Sequence, residues 1–281
     1  NYSLYPNYTV YENMAFPLKN QHIPREQIDQ MVLETAKLLE LDKLLQRYPR
    51  DLSGGQRQRI AIGRALVRKP KLFLMDEPFS NLDPVLRGKL RTELKRIHSK
   101  MGTTFIYVTH DQMEAFALGD RIVVMEHGQI RQVGTPQELF NHPANLYTAS
   151  FVGTPPMNLF RDVALKQGSG GWTVTLFDNK YLLPPAKAAG LTEADQGRKV
   201  TLGIRPVHIT LGDQGIEATV EHSDVVEAEM HIQLRVGQQE LLAIVPATNF
   251  GTFLRGRKVH FQLSPQRFHL FDPETEERIG L

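Results

Sequence analysis

The 281-residue sequence contains no cysteine. This excludes disulfides and any zinc or iron–sulfur centre held by thiolates, and it suits a reducing compartment. No apolar run approaches the roughly 18 residues that a membrane-spanning helix needs, and no stretch has the pattern of a secretory signal peptide. An excess of one charge is missing too, since 33 Lys and Arg face 31 Asp and Glu for a net charge of +2. A polybasic nucleic-acid arm is thereby excluded, and nucleic acid is not an expected partner. Long internal repeats and low-complexity tracts are also lacking. What is present is ordinary globular composition, 41% hydrophobic and 23% charged. At roughly 150 residues per domain the length suggests about two domains. The chain opens on Asn1 rather than Met, so we expect a fragment or missing upstream residues.

Two textures divide the chain. Residues 1–152 read as mixed helix and strand. Ile28, Met31, Val32, Thr35, Leu38, Leu39 and Leu45 follow a helical period after Pro24, which suits a first helical turn. Lys71-Leu72-Phe73-Leu74-Met75-Asp76 is a short apolar run closed by acid, as in a buried parallel strand. Asp83-Pro84 caps a helix with apolar positions Val85, Leu86, Leu90, Leu94, Ile97 and Met101. Residues 104–109 and 121–125 read as further strands, so a parallel sheet covered by helices is predicted. Thr135-Pro136-Gln137-Glu138 has the spacing of a capping box. From about residue 158, alternation marks strands at 172–177, 199–204, 217–223, 229–236, 240–245 and 258–263. Glycine-rich turns separate them, as in a small all-β barrel or sandwich. The boundary is placed at Gly153-Thr154-Pro155-Pro156, giving domains 1–152 and 153–281.

Three segments carry the chemistry. Leu52-Ser53-Gly54-Gly55-Gln56 precedes a helical stretch. A Ser and two Gly there present free N–H groups and a hydroxyl at the positive end of the helix dipole, a site suited to phosphate. A bare Ser-Gly-Gly is equally a Ser-capped helix after a loop. Asp76-Glu77-Pro78 ends the apolar run, and Ser80-Asn81-Leu82-Asp83 follows at once. An isolated Asp-Glu at a strand end is usually a solvated turn. Tyr107-Val108-Thr109-His110-Asp111 ends another strand on a histidine. A lone histidine is more often structural, although an imidazole with one N–H and one free nitrogen can both donate and accept. The basic residues Arg87, Lys89, Arg91, Lys95, Arg96 and Lys100 read as a mainly solvated helix face. Gly251–Gly256 is no phosphate loop, because it lacks a Gly-Lys-Ser/Thr ending and leads into a strand.

Taken together these segments resemble the ABC ATPases. Leu-Ser-Gly-Gly-Gln is their signature motif, 72–77 resembles a Walker B strand, 80–83 their D-loop, and His110 their switch histidine. Residues 1–13, with Thr9-Val10-Tyr11-Glu12-Asn13 at their core, are similar to the stretch after the Q-loop of ABC importers. The β half is similar to the C-terminal domain of importer ATPases of the maltose and glycerol-phosphate type, through Gly203-Ile204-Arg205-Pro206 and Arg267-Phe268-His269-Leu270-Phe271. The implied fold is α/β, an ABC ATPase-like parallel sheet with helices and an N-terminal truncation, plus an all-β, OB-like barrel.

The resemblance implies ATP and Mg²⁺ as cofactors. Leu52, Ser53, Gly54, Gly55 and Gln56 would face nucleotide held by a second subunit. Asp76 would hold Mg²⁺, Glu77 would be the general base, His110 would steady the water, and Asp83 would set dimer-interface geometry. Implied partners are a paired ATPase subunit, integral membrane permease subunits and, indirectly, an external solute-binding protein. Tyr2, Leu4, Tyr5, Tyr11, Met14 and Phe16 would line the groove for a permease helix. The implied place is the cytoplasmic face of the plasma membrane, and the implied solute is a carbohydrate or polyol. No phosphate-binding Walker A loop occurs in residues 1–281, so this chain alone is expected to bind ATP poorly and not to turn it over. A soluble ABC protein without transport would bring tandem ATPase domains or long coiled-coil insertions, and neither is seen. The other alternative is a truncated, non-enzymatic dimerisation and regulatory module acting through the β half.

Overall fold

A computed structural model describes residues 4–80, 82–247 and 253–280, without the side chain of Leu86. The chain divides into two compact units, Asn1–Gly119 and Asp120–Leu281.

The first unit starts with α1 (Val10–Lys19), α2 (Arg25–Leu38) and α3 (Gly54–Leu66). Thr9 and Glu12 close a capping box at α1. Buried Asn13 fastens the preceding loop, accepting from the Tyr5 N–H at 2.9 Å and donating to the Tyr5, Tyr8 and Thr9 carbonyls. Val10, Met14 and Leu18 of α1 share a core with Ile60 and Leu66 of α3 and with Phe73, Met75 and Phe79. Gly63 permits the close approach of α3, because a Cβ there would lie 2.8 Å from Met14 Sδ and 2.9 Å from Leu39 Cδ1. The helix expected to run to Leu45 stops at Leu38. Pro24 stands just before it, and Glu40 at φ 57° turns the chain into a short 3₁₀ segment at Asp42–Leu44.

Two parallel strands follow, β1 (Leu72–Asp76) and β2 (Thr104–Val108), paired from Leu72↔Thr104 to Asp76↔Val108. Between them runs α4 (Pro84–Met101), and after them α5 (Gln112–Leu118). The expected parallel pairing is present, but burial on both faces is not. Phe73 and Met75 are in the core, whereas Leu74 is 69% exposed and Ile106 and Val108 lie open beside it. Val85, expected on the apolar stripe of α4, is also exposed, while Leu90, Leu94 and Ile97 are buried.

In the second unit β3 (Ile122–Glu126) and β4 (Gln129–Gly134) form an antiparallel hairpin. The segment at 121–125 is therefore not a further parallel strand among the described residues. His127 and Gly128 both have positive φ, the combination that a tight two-residue hairpin turn requires. Helix α6 (Pro136–Asn141) has the expected Thr135–Glu138 capping box, and α7 (Leu146–Phe151) is capped by Asn145.

The rest is two antiparallel sheets. One has six strands in the order β15-β14-β8-β5-β6-β7: β5 (Asn158–Gly168), β6 (Gly171–Leu176), β7 (Asn179–Leu182), β8 (Lys199–Ile204), β14 (His269–Phe271) and β15 (Arg278–Ile279). The other has five strands in the order β12-β11-β10-β13-β9: β9 (Ile209–Gly212), β10 (Ile216–Val226), β11 (Glu229–Val236), β12 (Gln239–Pro246) and β13 (Lys258–Leu263). Val174, Val200, Leu202 and Leu270 of the first sheet share one core with Val220, Ile232, Leu234 and Phe261 of the second.

Strand β8 is buried on both faces. On its outer face Gly203 lies against Met157, which clusters with Ala149 of α7 and Phe271. Arg205, at the end of β8, is 1% exposed. Its guanidinium donates to the carbonyls of Phe140, Ala149 and Val152, and so holds the C-terminal ends of α6 and α7. It also stacks 4.2 Å from the Phe140 ring centroid.

Candidate active site

Asp76, Glu77 and His110 gather at the C-terminal ends of the two parallel strands, the edge where open α/β sheets bind ligands. Register aligns Asp76 with Val108. The Glu77 N–H continues it by donating to the Val108 carbonyl at 2.9 Å. Glu77 sits at φ 42°, a left-handed conformation that costs a non-glycine residue energy and turns the chain sharply off the strand.

His110, two residues past β2, brings its Nδ1 to 3.0 Å from Glu77 Oε1. Both side chains remain open to solvent, His110 at 72%. The bond to the Glu77 carboxylate, and then its charge, raise the His110 pKa above the ordinary histidine value. A carboxylate and an imidazole thus touch in an accessible position, as a water-activating pair requires.

Asp76 is exposed, and among the described residues its carboxylate has no hydrogen bond or ion pair. No cluster of three His, Asp or Glu suited to a metal occurs among the described residues. Mg²⁺ commonly takes one or two carboxylates and completes its shell with water and phosphate oxygens. A single unpaired carboxylate fits that demand.

Ser53 caps α3. Its hydroxyl accepts from the Gln56 N–H at 3.3 Å, and the Gln56 side chain accepts from the Ser53 N–H at 2.9 Å. Ser53 is exposed, Gly54 and Gln56 are half-buried, and Gly55 is buried. The Leu52 side chain lies in the core, and its carbonyl accepts from Arg57 at 2.5 Å. No hydrogen bond joins Ser53–Gln56 to Glu77 or His110 among the described residues. The helix is nonetheless tied to their loop, since Gln58 donates to the Pro78 carbonyl.

Asp83 is exposed at the start of α4, and its carbonyl accepts from the Arg87 N–H at 2.9 Å. Asn81 lies outside the described residues, as does Tyr2. Of the expected groove residues, Met14 is fully buried against α3 and unavailable to a partner. Tyr5, Tyr8 and Phe16 form an aromatic cluster with ring centroids 4.8 to 5.9 Å apart.

Sequence reasoning missed a second set of side chains behind the pair. Arg87, read as part of a solvated face, donates to Asp111 Oδ2 at 3.1 Å and lies 3.7 Å from Glu114 Oε1. Glu114 is 3% exposed and accepts from the hydroxyls of Tyr107 at 2.7 Å and Thr109 at 2.9 Å. Burial, and then the bond to Glu114, push the Tyr107 phenol well above its ordinary range, so it stays a donor. The available signal was the spacing Asp111-x-x-Glu114, a helix-start pattern at α5.

The ABC transporter family profile matches residues 1–80, that of the MalK OB fold domain 153–209, and that of the TOBE domain 202–271. The chain is 43% identical over 301 residues to the multiple sugar-binding transport ATP-binding protein MsmK of Streptococcus mutans, covering 99% of this chain and 78% of that one. It is 43% identical to the trehalose/maltose import ATP-binding protein MalK of Thermococcus litoralis, covering 99% and 76%. It is also 43% identical to the sn-glycerol-3-phosphate import ATP-binding protein UgpC of Shigella sonnei, covering 99% and 77%.

The chain belongs to the ABC import ATP-binding proteins.

Members of this family are ATP-hydrolysing transport enzymes, and the fold is the ABC ATPase type with a C-terminal OB/TOBE β domain. Import ATP-binding subunits dimerise and work with membrane permeases. Among the described residues no helix is long and apolar enough to cross a membrane.

Proposed function

We propose that this chain is the ATP-hydrolysing subunit of an importer for a carbohydrate or related polyol, working on the cytoplasmic face of the plasma membrane. The observation that carries this reading is the Glu77–His110 pair at the ends of β1 and β2. Glu77 accepts a proton from the attacking water while the water oxygen bonds to the γ-phosphorus and the bond to ADP breaks. His110 holds water and carboxylate in line. Positioning and charge placement supply most of the acceleration in phosphoryl transfer. Mg²⁺ bound at Asp76 would neutralise charge developing on the phosphates.

The N-terminus of α3, with exposed Ser53 and the glycines after it, supplies N–H groups and dipole to nucleotide held by a paired ATPase subunit. Asp83 shapes that shared interface. Permease subunits take the work, and an external binding protein selects the solute. Domains 1–152 and 153–281 divide catalysis from a β domain that serves regulation. The names of MsmK and MalK support a carbohydrate, and that of UgpC a polyol derivative, as the solute. The polypeptide of residues 1–281 taken alone has no phosphate-binding loop of the Gly-Lys-Ser/Thr type, so its affinity for nucleotide is low.

The test is Glu77→Gln in the full-length subunit within its transporter. ATP binding is expected to persist while turnover drops roughly 10²- to 10⁴-fold, the usual worth of a general base. Near-normal turnover would remove Glu77 from that role.

A further inference from the structure

His110 is mostly exposed, and Glu77 is its one hydrogen-bond partner among the described residues. A side chain so lightly held cannot fix its own position. Its placement must come from Thr109 and Asp111 on either side. Both are held by the same cluster. Asp111 caps α5 through Oδ1, accepting from Met113 N at 2.8 Å and Glu114 N at 3.2 Å. Its own N–H donates to the Thr109 hydroxyl oxygen at 3.0 Å, and that hydroxyl donates to Glu114. Two carboxylates, Asp111 and buried Glu114, face the single guanidinium of Arg87. Without that cation the two anions would repel, one of them out of reach of water.

Arg87 reaches a third group. Its Nη2 donates to the Leu82 carbonyl at 3.3 Å, in the loop between Glu77 and α4. One planar fork therefore ties that loop to the residue after His110. A fork can hold several acceptors in fixed directions, which a lysine cannot.

We propose that Arg87 is a positioning residue that couples the loop at Leu82–Asp83 to the alignment of His110 against Glu77. A shift of the Leu82 carbonyl, as when a second subunit seats on this loop, moves the guanidinium, Asp111 and hence the imidazole. Hydrolysis thereby becomes sensitive to pairing through a contact behind the site. This rests on the roles given above to Glu77, His110 and the 80–83 loop.

The experiment compares wild type, Arg87→Met, Arg87→Lys and Asp111→Asn in the full-length subunit within its transporter. It reads kcat, KM for ATP and the ¹⁵N signals of the His110 imidazole. Arg87→Met is expected to lower kcat roughly 10- to 100-fold, the usual cost of a small misplacement. KM should stay within about twofold, because no nucleotide contact is removed. The His110 Nδ1 signal should lose the signature of its bond to Glu77. Arg87→Lys should recover part of kcat and of the signal. Asp111→Asn keeps the capping oxygen but turns an N–H donor toward Arg87 in place of the accepting Oδ2, so it removes that one bond and should fall between the two; it also stands in if Arg87→Met fails to fold. Unchanged kcat and His110 signals in folded Arg87→Met, or in Asp111→Asn where Arg87→Met does not fold, would overturn the proposal, even if stability dropped. That result beside an inactive Glu77→Gln would leave the hydrolytic reading standing. An active Glu77→Gln would overturn that reading instead.

Discussion

Lowering the pH from 7 to 5 is expected to destabilise the β unit through His269. This side chain is 4% exposed, its Nδ1 has no hydrogen-bond partner, and burial depresses its pKa from 6.5 to about 3. Lys187, Arg205, Arg278 and His208 face it and add to the depression. The folded value lies below the unfolded one. Between them the unfolded chain binds the extra proton, so this contribution to stability is complete above about 6.5 and is lost as pH falls toward about 3. At pH 5 the loss amounts to about 2 kcal/mol, at 1.36 kcal/mol per pH unit. Trp172, the one tryptophan of the chain, lies in the core of this unit and reports its unfolding separately. Urea titrations followed at Trp172 fluorescence should show the loss in wild type. It should shrink in His269→Gln, which carries no titrating ring, leaving the smaller part due to His208, whose pKa burial also holds below its ordinary value. Carboxylates held below their ordinary range, such as Asp195 and Glu217, weaken the unit only at lower pH still. Equal losses in wild type and His269→Gln would refute the reasoning.

Other outcomes follow from single contacts. Arg205→Met should cost about 3 kcal/mol in the same titration, because it strands buried carbonyls at the ends of α6 and α7. Gly215→Ala should cost about 1–3 kcal/mol, since φ is 128° and a Cβ would run onto the Phe261 carbonyl. Calorimetry on the polypeptide of residues 1–281 alone should detect no tight Mg-ATP binding, and submicromolar affinity would contradict the reading that another loop grips the phosphates first.

The elements legible in the sequence were those whose own residues dictate them. The strands at 229–236 and 258–263 were read at their observed bounds because polar and apolar residues alternate cleanly along them. The caps at Ser53 and Thr135 were equally local. Strand β5 escaped notice because a register shift between Phe160 and Val163 breaks its alternation. The end of α2 escaped because Leu39 and Leu41 keep the chain apolar past the last helical turn, while the left-handed turn falls on a glutamate rather than a glycine. Val85 was misread because apolar spacing along α4 does not reveal where its neighbours end.

Of the candidate site, the sequence alone determined the chemistry: a capped helix end suited to phosphate, an acid pair closing a strand and a histidine closing another. Tertiary structure alone decided the geometry. Residues 77 and 110 meet because two parallel strands share a register, and Arg87 faces inward because Asp111 and Glu114 fold back beneath it. Chain order fixes the type of each group and its local backbone preference. The distance between groups far apart along the chain is set only when the strands and helices carrying them pack.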